Sequence, residues 1–183
     1  MAVHTRADAR RSVDAIHVAA REVLGRDAAP GLDEIAALAG VHRATLYRHF
    51  PSREALIASL YEAYLDDAAA AIAEADPAAE DLLAEIEALV RRIYQVNIVW
   101  RPFAWAPAYA MQDDPRRAEL AGALAELFTA AQVRGLLRSD LSVRLLLTTW
   151  GAPVLFYASR IIAGEFTLDE VVEHTLVLLT RPL

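Results

Sequence analysis

The 183-residue chain contains no cysteine and no lysine, and it has only 7 glycines and 8 prolines. The absence of cysteine excludes a disulfide framework, a Cys-ligated zinc or iron–sulfur centre and a thiol nucleophile. Because 56% of the residues are hydrophobic and glycine and proline are scarce, the composition also argues against a disordered or fibrous chain. The sequence therefore predicts one or two ordinary globular domains with a substantial core.

The hydropathy pattern of the sequence also indicates neither a secretion signal nor a membrane span. Residues 1–11 are polar and lack the apolar segment of a signal peptide. The longest nearly uncharged stretch beyond the N-terminal third, residues 145–159, is 15 residues long, whereas a bilayer span needs about 20 apolar residues. We therefore expect a cytoplasmic protein without membrane attachment, and we interpret this stretch as a buried helix.

The net charge of −7 is unevenly distributed along the chain. Residues 1–60 hold eight arginines, seven acidic residues and four of the five histidines, whereas residues 61–183 hold ten arginines and eighteen acidic residues. An acidic protein can still bind a polyanion when its basic side chains gather on one face. The N-terminal third is therefore the place to look for nucleic-acid binding.

Apolar residues recur at helical spacing through most of the chain, and no stretch shows sustained strand alternation or a hairpin dipeptide. This pattern predicts eight or nine helices and no sheet. The predicted helix starts are Thr5 with Asp8, Ser52, Asp76 before Pro77, Asp114 before Pro115, Asp140, and Thr167 with Glu170. Helix ends are predicted at Gly25 and Gly164, and a kink at Gly151 and Pro153.

Between residues 31 and 50, two short predicted helices meet at a glycine. The first covers Leu32–Ala39 and the second about Arg43–Phe50, and Gly40 permits the left-handed turn between them. Two short helices joined by three or four residues that include a glycine are typical of a helix-turn-helix. The second helix is then free to enter the major groove of DNA.

The outward positions of this second helix carry side chains suited to DNA. These positions are Arg43, Ala44, Thr45, Tyr47, Arg48 and His49. Arginine bonds a guanine edge bidentately, whereas tyrosine, threonine and histidine more often hold phosphates. The alternative is an ordinary helical corner, in which Tyr47 and Phe50 are core aromatics.

The same segment resembles the signature of the TetR family of transcriptional regulators. The resemblance covers about residues 6–60 and lies on Ile35-Ala36-x-x-Ala39-Gly40-Val41-x-x-x-Thr45-Leu46-Tyr47-x-His49-Phe50-Pro51-Ser52-Arg53-Glu54-Ala55-Leu56. It implies an all-α fold, with a three-helix DNA-binding head in residues 1–60 and a helical bundle for ligand binding and dimerisation in residues 61–183. The partners it implies are a double-stranded DNA operator, a small-molecule effector and a second copy of the chain, without a cofactor.

The resemblance also assigns roles by position. Arg43, Thr45 and Arg48 would face bases or nearby phosphates, Tyr47 and His49 would hold the backbone, and Arg53, where the family commonly has lysine, would contact a phosphate. The chain departs from the family at Pro30 and Gly31. Family members commonly have Thr or Ser as the cap at this point, and glycine lacks the hydroxyl.

Aromatic residues are dense between residues 94 and 111 and recur further along the chain. The candidate ligand-binding residues are Tyr94, Trp100, Phe103, Trp105, Tyr109, Phe128, Trp150 and Tyr157. Ligand pockets are typically apolar and aromatic with a few polar groups, so we expect an apolar or aromatic effector, and Arg101 allows an anionic group. The alternative is that these aromatics only pack the core.

The segments 141–162 and 168–180 are the most apolar in the chain. One neighbouring helix cannot cover so many apolar side chains, and an obligate homodimer interface would cover the surplus. The alternative is a central helix fully enclosed within a monomer.

Catalytic motifs are absent. The sequence has no glycine-rich phosphate loop, no Gly-x-Ser-x-Gly elbow and no His-Glu-x-x-His pair, and its histidines do not have metal-ligand spacing. We therefore expect neither an enzyme nor a metal site. The main alternative to a DNA-binding regulator is a helical small-molecule-binding or protein-interaction module without specific DNA binding.

We predict that Arg53→Ala weakens binding to all DNA sequences, because a lost phosphate contact carries no sequence information, and lowers the slope of log affinity against log salt by about one unit. Arg43→Ala and Arg48→Ala should instead relax the preference at individual base pairs. Titrations of operator and random DNA over a range of salt concentrations measure both effects. Equal losses on both DNAs for all three variants would contradict this division of roles.

Overall fold

The computed structural model of the chain describes residues 2–26, 31–100 and 114–180, and these residues form nine α-helices and no β-strand. The helices are α1 Ala2–Arg26, α2 Leu32–Leu38, α3 Arg43–His49, α4 Arg53–Ala73, α5 Leu82–Val99, α6 Pro115–Val133, α7 Val143–Gly151, α8 Val154–Ile162 and α9 Leu168–Thr180. The prediction of an all-helical chain is confirmed.

The described residues divide into two compact units. The first contains α1, α2, α3 and α4 as far as Ala63, and the second contains α4 from Tyr64 onward together with α5 to α9. The division therefore falls inside α4, the helix that also contains the expected domain boundary after residue 60.

The core of the first unit takes one apolar stripe from each of its helices. Ile16 of α1, Ile35 of α2, Leu46 of α3 and both Leu56 and Leu60 of α4 have almost no exposed surface. Helix α1 contacts α2, and α2 contacts α3. Because each short helix buries a large side chain, tertiary packing holds α2 and α3, which are too short to be stable alone.

A polar contact also joins α1 to α4 within this unit. Nε2 of His17 lies 3.0 Å from Oγ of Ser59, and the imidazole centroid is 5.8 Å from that of Phe50. Burial and the nearby charge of Arg21 lower the pKa of His17 from its ordinary value of 6.5. The ring is therefore neutral at pH 7, as its partly buried position requires.

The corner between α2 and α3 is closed by backbone hydrogen bonds around a left-handed glycine. Gly40 has φ of +65°, its N–H donates to the carbonyl of Ala37 at 3.2 Å, and the N–H of Val41 donates to that of Ala36 at 3.1 Å. These bonds satisfy carbonyls that the end of α2 would otherwise leave unpaired. The predicted left-handed turn at Gly40 is confirmed.

The core of the second unit is centred on two stacked aromatic side chains. Phe128 of α6 and Trp150 of α7 have ring centroids 5.6 Å apart and an interplanar angle of 13°. Beside them, the hydroxyl groups of Tyr94 and Thr175 lie 3.1 Å apart, which joins α5 to α9. Desolvation raises the pKa of Tyr94, so its phenol stays protonated at neutral pH.

A buried arginine ties the loop between α6 and α7 to α9. The guanidinium of Arg138 donates to both carboxylate oxygens of Asp140, at 2.8 and 2.5 Å, and its backbone N–H donates to the carbonyl of Leu179 at 2.9 Å. The adjacent guanidinium lowers the pKa of Asp140. This paired geometry lets a charged side chain lie inside the unit.

Three predicted helix starts are confirmed by their capping hydrogen bonds. The hydroxyl of Ser52 accepts from the N–H of Ala55, and a carboxylate oxygen of Asp114 accepts from the N–H of Arg116. Thr167 and Glu170 form a reciprocal capping box, in which each side chain accepts from the other's backbone N–H. The hydrogen bonds lower the pKa of Glu170.

Two predicted starts in the second unit are wrong. The carboxylate of Asp76 caps only a turn, through Ala78, and α5 begins at Leu82 with Asp81 as its N-cap. The helix expected to start at Asp140 begins three residues later, with Ser142 as its N-cap. In both places a second capping residue follows within a few positions. At Asp81 the buried apolar face of α5 selects the later cap, and at Ser142 the ion pair between Arg138 and Asp140 does so.

The predicted start at Thr5 is also wrong, because α1 begins at Ala2. The end of α1 at Arg26 lies one residue beyond the predicted Gly25. The predicted end at Gly164 is confirmed, since this residue has φ of +74° and follows the last turn of α8.

At the predicted kink of Gly151 and Pro153, α7 ends at Gly151 and α8 starts at Val154, and the two residues between them keep right-handed helical dihedral angles. Together Val143–Ile162 is long and apolar enough to span a membrane by composition alone, but core helices pass the same test. Leu146, Trp150 and Val154 from this segment are buried within the second unit. The expected buried helix is therefore two helices, each with one buried face.

We predict that Gly40→Ala destabilises the first unit by about 1–2 kcal/mol, the cost of a left-handed conformation for an L-residue. Apart from its chain neighbours, a Cβ added at Gly40 would have no atom within 4 Å. The cost is therefore conformational rather than steric. Gly40→Asn should lose less, since asparagine adopts this conformation more readily. Urea denaturation of both variants measures the difference, and equal losses would contradict the argument.

Candidate nucleic-acid interface and ligand cavity

Helix α3 presents most of its predicted DNA-facing side chains to solvent. Arg43, Ala44, Tyr47 and Arg48 are exposed, whereas Leu46 is buried on the opposite face. The remaining candidates Thr45, His49 and Arg53 are partly buried. The corner at Gly40 therefore places a polar and basic helix face outward, within reach of a polyanion.

Arg43 is held in place by two neighbours. Its Nε lies 2.7 Å from Oδ1 of Asp33 on α2, and its guanidinium carbon lies 5.4 Å from the ring centroid of Tyr47. The ion pair engages the Nε atom of Arg43. Arg48, by contrast, has no ion-pair partner among the described residues.

The N-terminus of α3 is capped by an unexpected residue. The Nδ1 atom of His42 accepts from the backbone N–H of Ala44 at 3.2 Å. Histidine is not among the common N-cap residues, and for this reason the sequence pattern did not indicate it. Gly31, at the start of α2, makes no side-chain cap, as the sequence predicted.

His49 has only one ring nitrogen available for a phosphate. Its Nε2 is buried and has no hydrogen-bond partner among the described residues, and its ring packs 6.2 Å from that of Phe50. A bond from His49 to the DNA backbone has to use Nδ1. Arg53 is the first residue of α4, directly after the Ser52 cap, where backbone N–H groups favour an anion.

The second unit contains an apolar cavity of about 660 Å³, which we call the main cavity. Helices α4 to α8 all contribute to its wall. Its described lining consists of Tyr64, Leu65, Ala68, Ile72, Ile93, Asn97, Arg117, Leu120, Ala121, Leu124, Ala125, Thr129, Val143, Arg144, Leu147, Thr148, Trp150, Gly151 and Val154. Its size and composition are those of a small-molecule site.

The predicted ligand residues are distributed over several environments. Trp150 lines the main cavity, and Tyr94, Trp150 and Tyr157 line a smaller cavity of about 190 Å³ beside it. Phe128 is buried in its stack on Trp150. The predicted residues Phe103, Trp105 and Tyr109 lie outside the described residues.

Trp100 is buried and does not belong to the described lining of either cavity. Its Nε1 donates to a carboxylate oxygen of Asp67 at 2.8 Å, and its ring meets that of Tyr64 edge-on. This contact joins the end of α5 to α4.

Sequence reasoning missed most of the lining of the main cavity. The missed residues include Arg117 and Arg144, together with aliphatic side chains of α6 such as Leu120 and Leu124. These positions are aliphatic or basic, whereas the pattern that indicated a pocket was aromatic. No local signal separates a side chain that lines a cavity from one that fills a core.

Within the described residues, no group of three or more histidine or acidic side chains is placed to hold a metal ion.

Comparison with known proteins agrees with this geometry. Residues 16–60 match the family model described as bacterial regulatory proteins, tetR family. A comparison with curated protein sequences gives no match.

Solved structures match over nearly the whole chain. The ketosteroid transcriptional regulator KstR2 of Mycobacterium tuberculosis has a TM-score of 0.74 at 19% identity, covering 94% of this chain and 96% of its own. The fatty acid degradation regulator FadR of Bacillus halodurans has a TM-score of 0.73 at 18% identity, covering 96% and 95%. LfrR of Mycobacterium smegmatis, solved in complex with proflavine, has a TM-score of 0.64 at 23% identity, covering 94% and 97%.

Proposed function

We propose that this chain, which carries a tetR-family DNA-binding domain on a fold shared with solved regulators of that family, is a repressor released from its operator by a small molecule. The observation that carries the proposal is the α3 face, where Arg43, Tyr47 and Arg48 are exposed beyond the corner at Gly40. This is the arrangement in which a recognition helix enters the major groove. The protein then acts in the cytoplasm and binds its effector without transforming it.

The operator should be palindromic, because the protein acts as a dimer. Large apolar side chains remain exposed on the part of the second unit formed by α7, α8 and α9, namely Leu145, Phe156, Ile162, Phe166 and Leu178. A second copy that covers such side chains would remove their apolar surface from water, and isologous pairing of two copies gives two-fold symmetry. Two recognition helices related in this way bind half-sites about 34–36 Å apart.

The main cavity is the proposed effector site. Its volume of about 660 Å³ and its mostly aliphatic wall favour an apolar molecule. The names of two structural neighbours, a ketosteroid regulator and a fatty acid degradation regulator, support an apolar effector for this chain as well.

We expect the full chain to bind DNA flanking its own gene about 1,000-fold more tightly than random DNA at physiological salt, because base contacts add to the phosphate contacts. Footprinting should show a protected palindrome, and affinity should fall steeply with salt. Equal affinity for both DNAs, or no binding at low salt, would favour an interaction module without specific DNA binding.

Phe156→Glu tests the dimer within the same experiment. Since Phe156 is 51% exposed, the change should leave the protomer folded but give a monomer by sedimentation with weakened operator binding. Val133→Glu, at an 83% exposed position at the end of α6, is the matched control and should change neither property. A Phe156→Glu variant that stays dimeric would exclude this patch as the interface.

A further inference from the structure

The described lining of the main cavity contains two arginines and no acidic side chain. Arg117 lies near the start of α6 and Arg144 near the start of α7, and the other lining residues are neutral. An anionic group in this cavity meets two positive charges and no lining carboxylate. The lining therefore favours a ligand with a negative charge.

Arg144 differs from four other arginines of the second unit. Arg91, Arg116, Arg138 and Arg160 each form an ion pair with a carboxylate. Arg144 is an exposed residue of the cavity lining, and the described residues provide no carboxylate partner for it. This guanidinium is available to a ligand.

The neutral polar groups of the lining offer few other donors. The hydroxyl groups of Thr129 and Thr148 donate to carbonyls of their own helices, and the side-chain amide of Asn97 donates to the carbonyl of Ile93. Nε1 of Trp150 is buried without an acceptor among the described residues. Among these described residues, the two arginines are therefore the main donors left for a ligand head group that accepts hydrogen bonds.

The part of the wall that α6 forms is long, with polar residues at its two ends. Helix α6 contributes lining residues from Arg117 to Thr129, a length of about 18 Å at the helical rise of 1.5 Å per residue. Between these ends it presents Leu120, Ala121 and Leu124. An extended apolar body matches this wall better than a compact one.

We infer that the effector is a carboxylate with an extended apolar body, which lies along α6 in the main cavity with its carboxylate on Arg144. The inference rests on the proposed function for the identity of the site, and adds the chemical class of the ligand and the residue that selects it. An arginine and a carboxylate form charge-assisted hydrogen bonds, which a neutral head group cannot match.

Decanoate and decanol are matched probes, since they share an apolar chain and differ in the charge of the head group. Calorimetric titration of the full-length protein should show tighter binding of decanoate. Arg144→Ala should weaken decanoate binding about tenfold, the range expected for loss of a hydrogen bond to a charged group, and leave decanol binding unchanged. Arg91→Ala, which removes an arginine outside the lining, should change neither.

Equal binding of the two probes, or an equal loss of both in Arg144→Ala, would overturn the assignment, and so would the absence of any binding. If Arg117→Ala rather than Arg144→Ala lost decanoate selectively, the assignment to Arg144 would also be wrong. Operator binding by the unliganded protein is measured separately. A protein that binds its operator but fails these tests refutes the effector class and leaves the regulator proposal standing.

A different observation, the ion pair between Asp33 and Arg43, carries a second inference. Both side chains are more than half exposed, so the pair adds little to stability. An exposed carboxylate beside a DNA-binding arginine also repels phosphates. Because such a contact lowers general DNA affinity and does not stabilise the fold, a role in recognition explains it better than a role in folding.

The geometry points to Asp33 as a positioning residue for base recognition by Arg43. Its bond to Nε at 2.7 Å, together with the Tyr47 ring beneath the guanidinium, restricts the side chain before DNA arrives. A guanidinium held through Nε can present its terminal nitrogens to a guanine edge. A pre-ordered arginine loses less entropy on binding its correct base, so the benefit appears on the operator alone.

Asp33→Asn and Glu34→Gln are a matched pair, because both remove one negative charge from exposed neighbouring positions of α2. Glu34→Gln should strengthen binding to operator and random DNA by the same factor. Asp33→Asn should strengthen binding to random DNA while the operator-to-random ratio falls about fivefold to tenfold, part of the discrimination of one bidentate base contact.

If Asp33→Asn and Glu34→Gln each changed the affinity for operator and random DNA by the same factor, the positioning role of Asp33 would be overturned. An operator-to-random ratio that rises in Asp33→Asn would show instead that Asp33 sequesters Arg43. Because the ratio is measured on a protein already shown to bind its operator, neither outcome affects the proposed function.

Discussion

The proposed DNA-binding surface depends on the left-handed turn at Gly40. With φ of +65°, this residue lets the N–H groups of Gly40 and Val41 return to carbonyls of α2, so the helix ends with its backbone satisfied. Leu46 then lies in the core, and the exposed face of α3 follows from helical periodicity. The same turn brings Arg43 to Asp33, ten positions back in the sequence.

In the second unit, one interruption between two helices affects two surfaces. Gly151 and Pro153 divide an apolar segment into α7 and α8, and each helix buries one side while its other side stays exposed. Trp150, directly before the break, stacks on Phe128 and lines both cavities. The proposed effector site and the proposed dimer surface therefore share these two helices.

Local chemistry explains which sequence predictions succeeded. Ser52, Asp114 and the pair Thr167 and Glu170 cap helices in the structure because a cap needs only a side-chain acceptor and a backbone N–H two or three residues away. Asp76 and Asp140 have the same chemistry but do not begin helices. Asp81 directly precedes the buried Leu82, and the carboxylate of Asp140 is bound by Arg138. Both features depend on how the whole unit packs.

The sequence by itself determined the all-helical class, the helix-turn-helix with its outward side chains, and the family that residues 16–60 match. These features depend on periodicity and on spacing within a few turns, which a linear pattern records. Only the tertiary structure decided that Asp33 holds Arg43, that Trp100 bonds Asp67, and that Arg144 lines a cavity. Such contacts join positions far apart in the chain or on different helices, and they depend on how whole helices pack, which no short window of sequence contains.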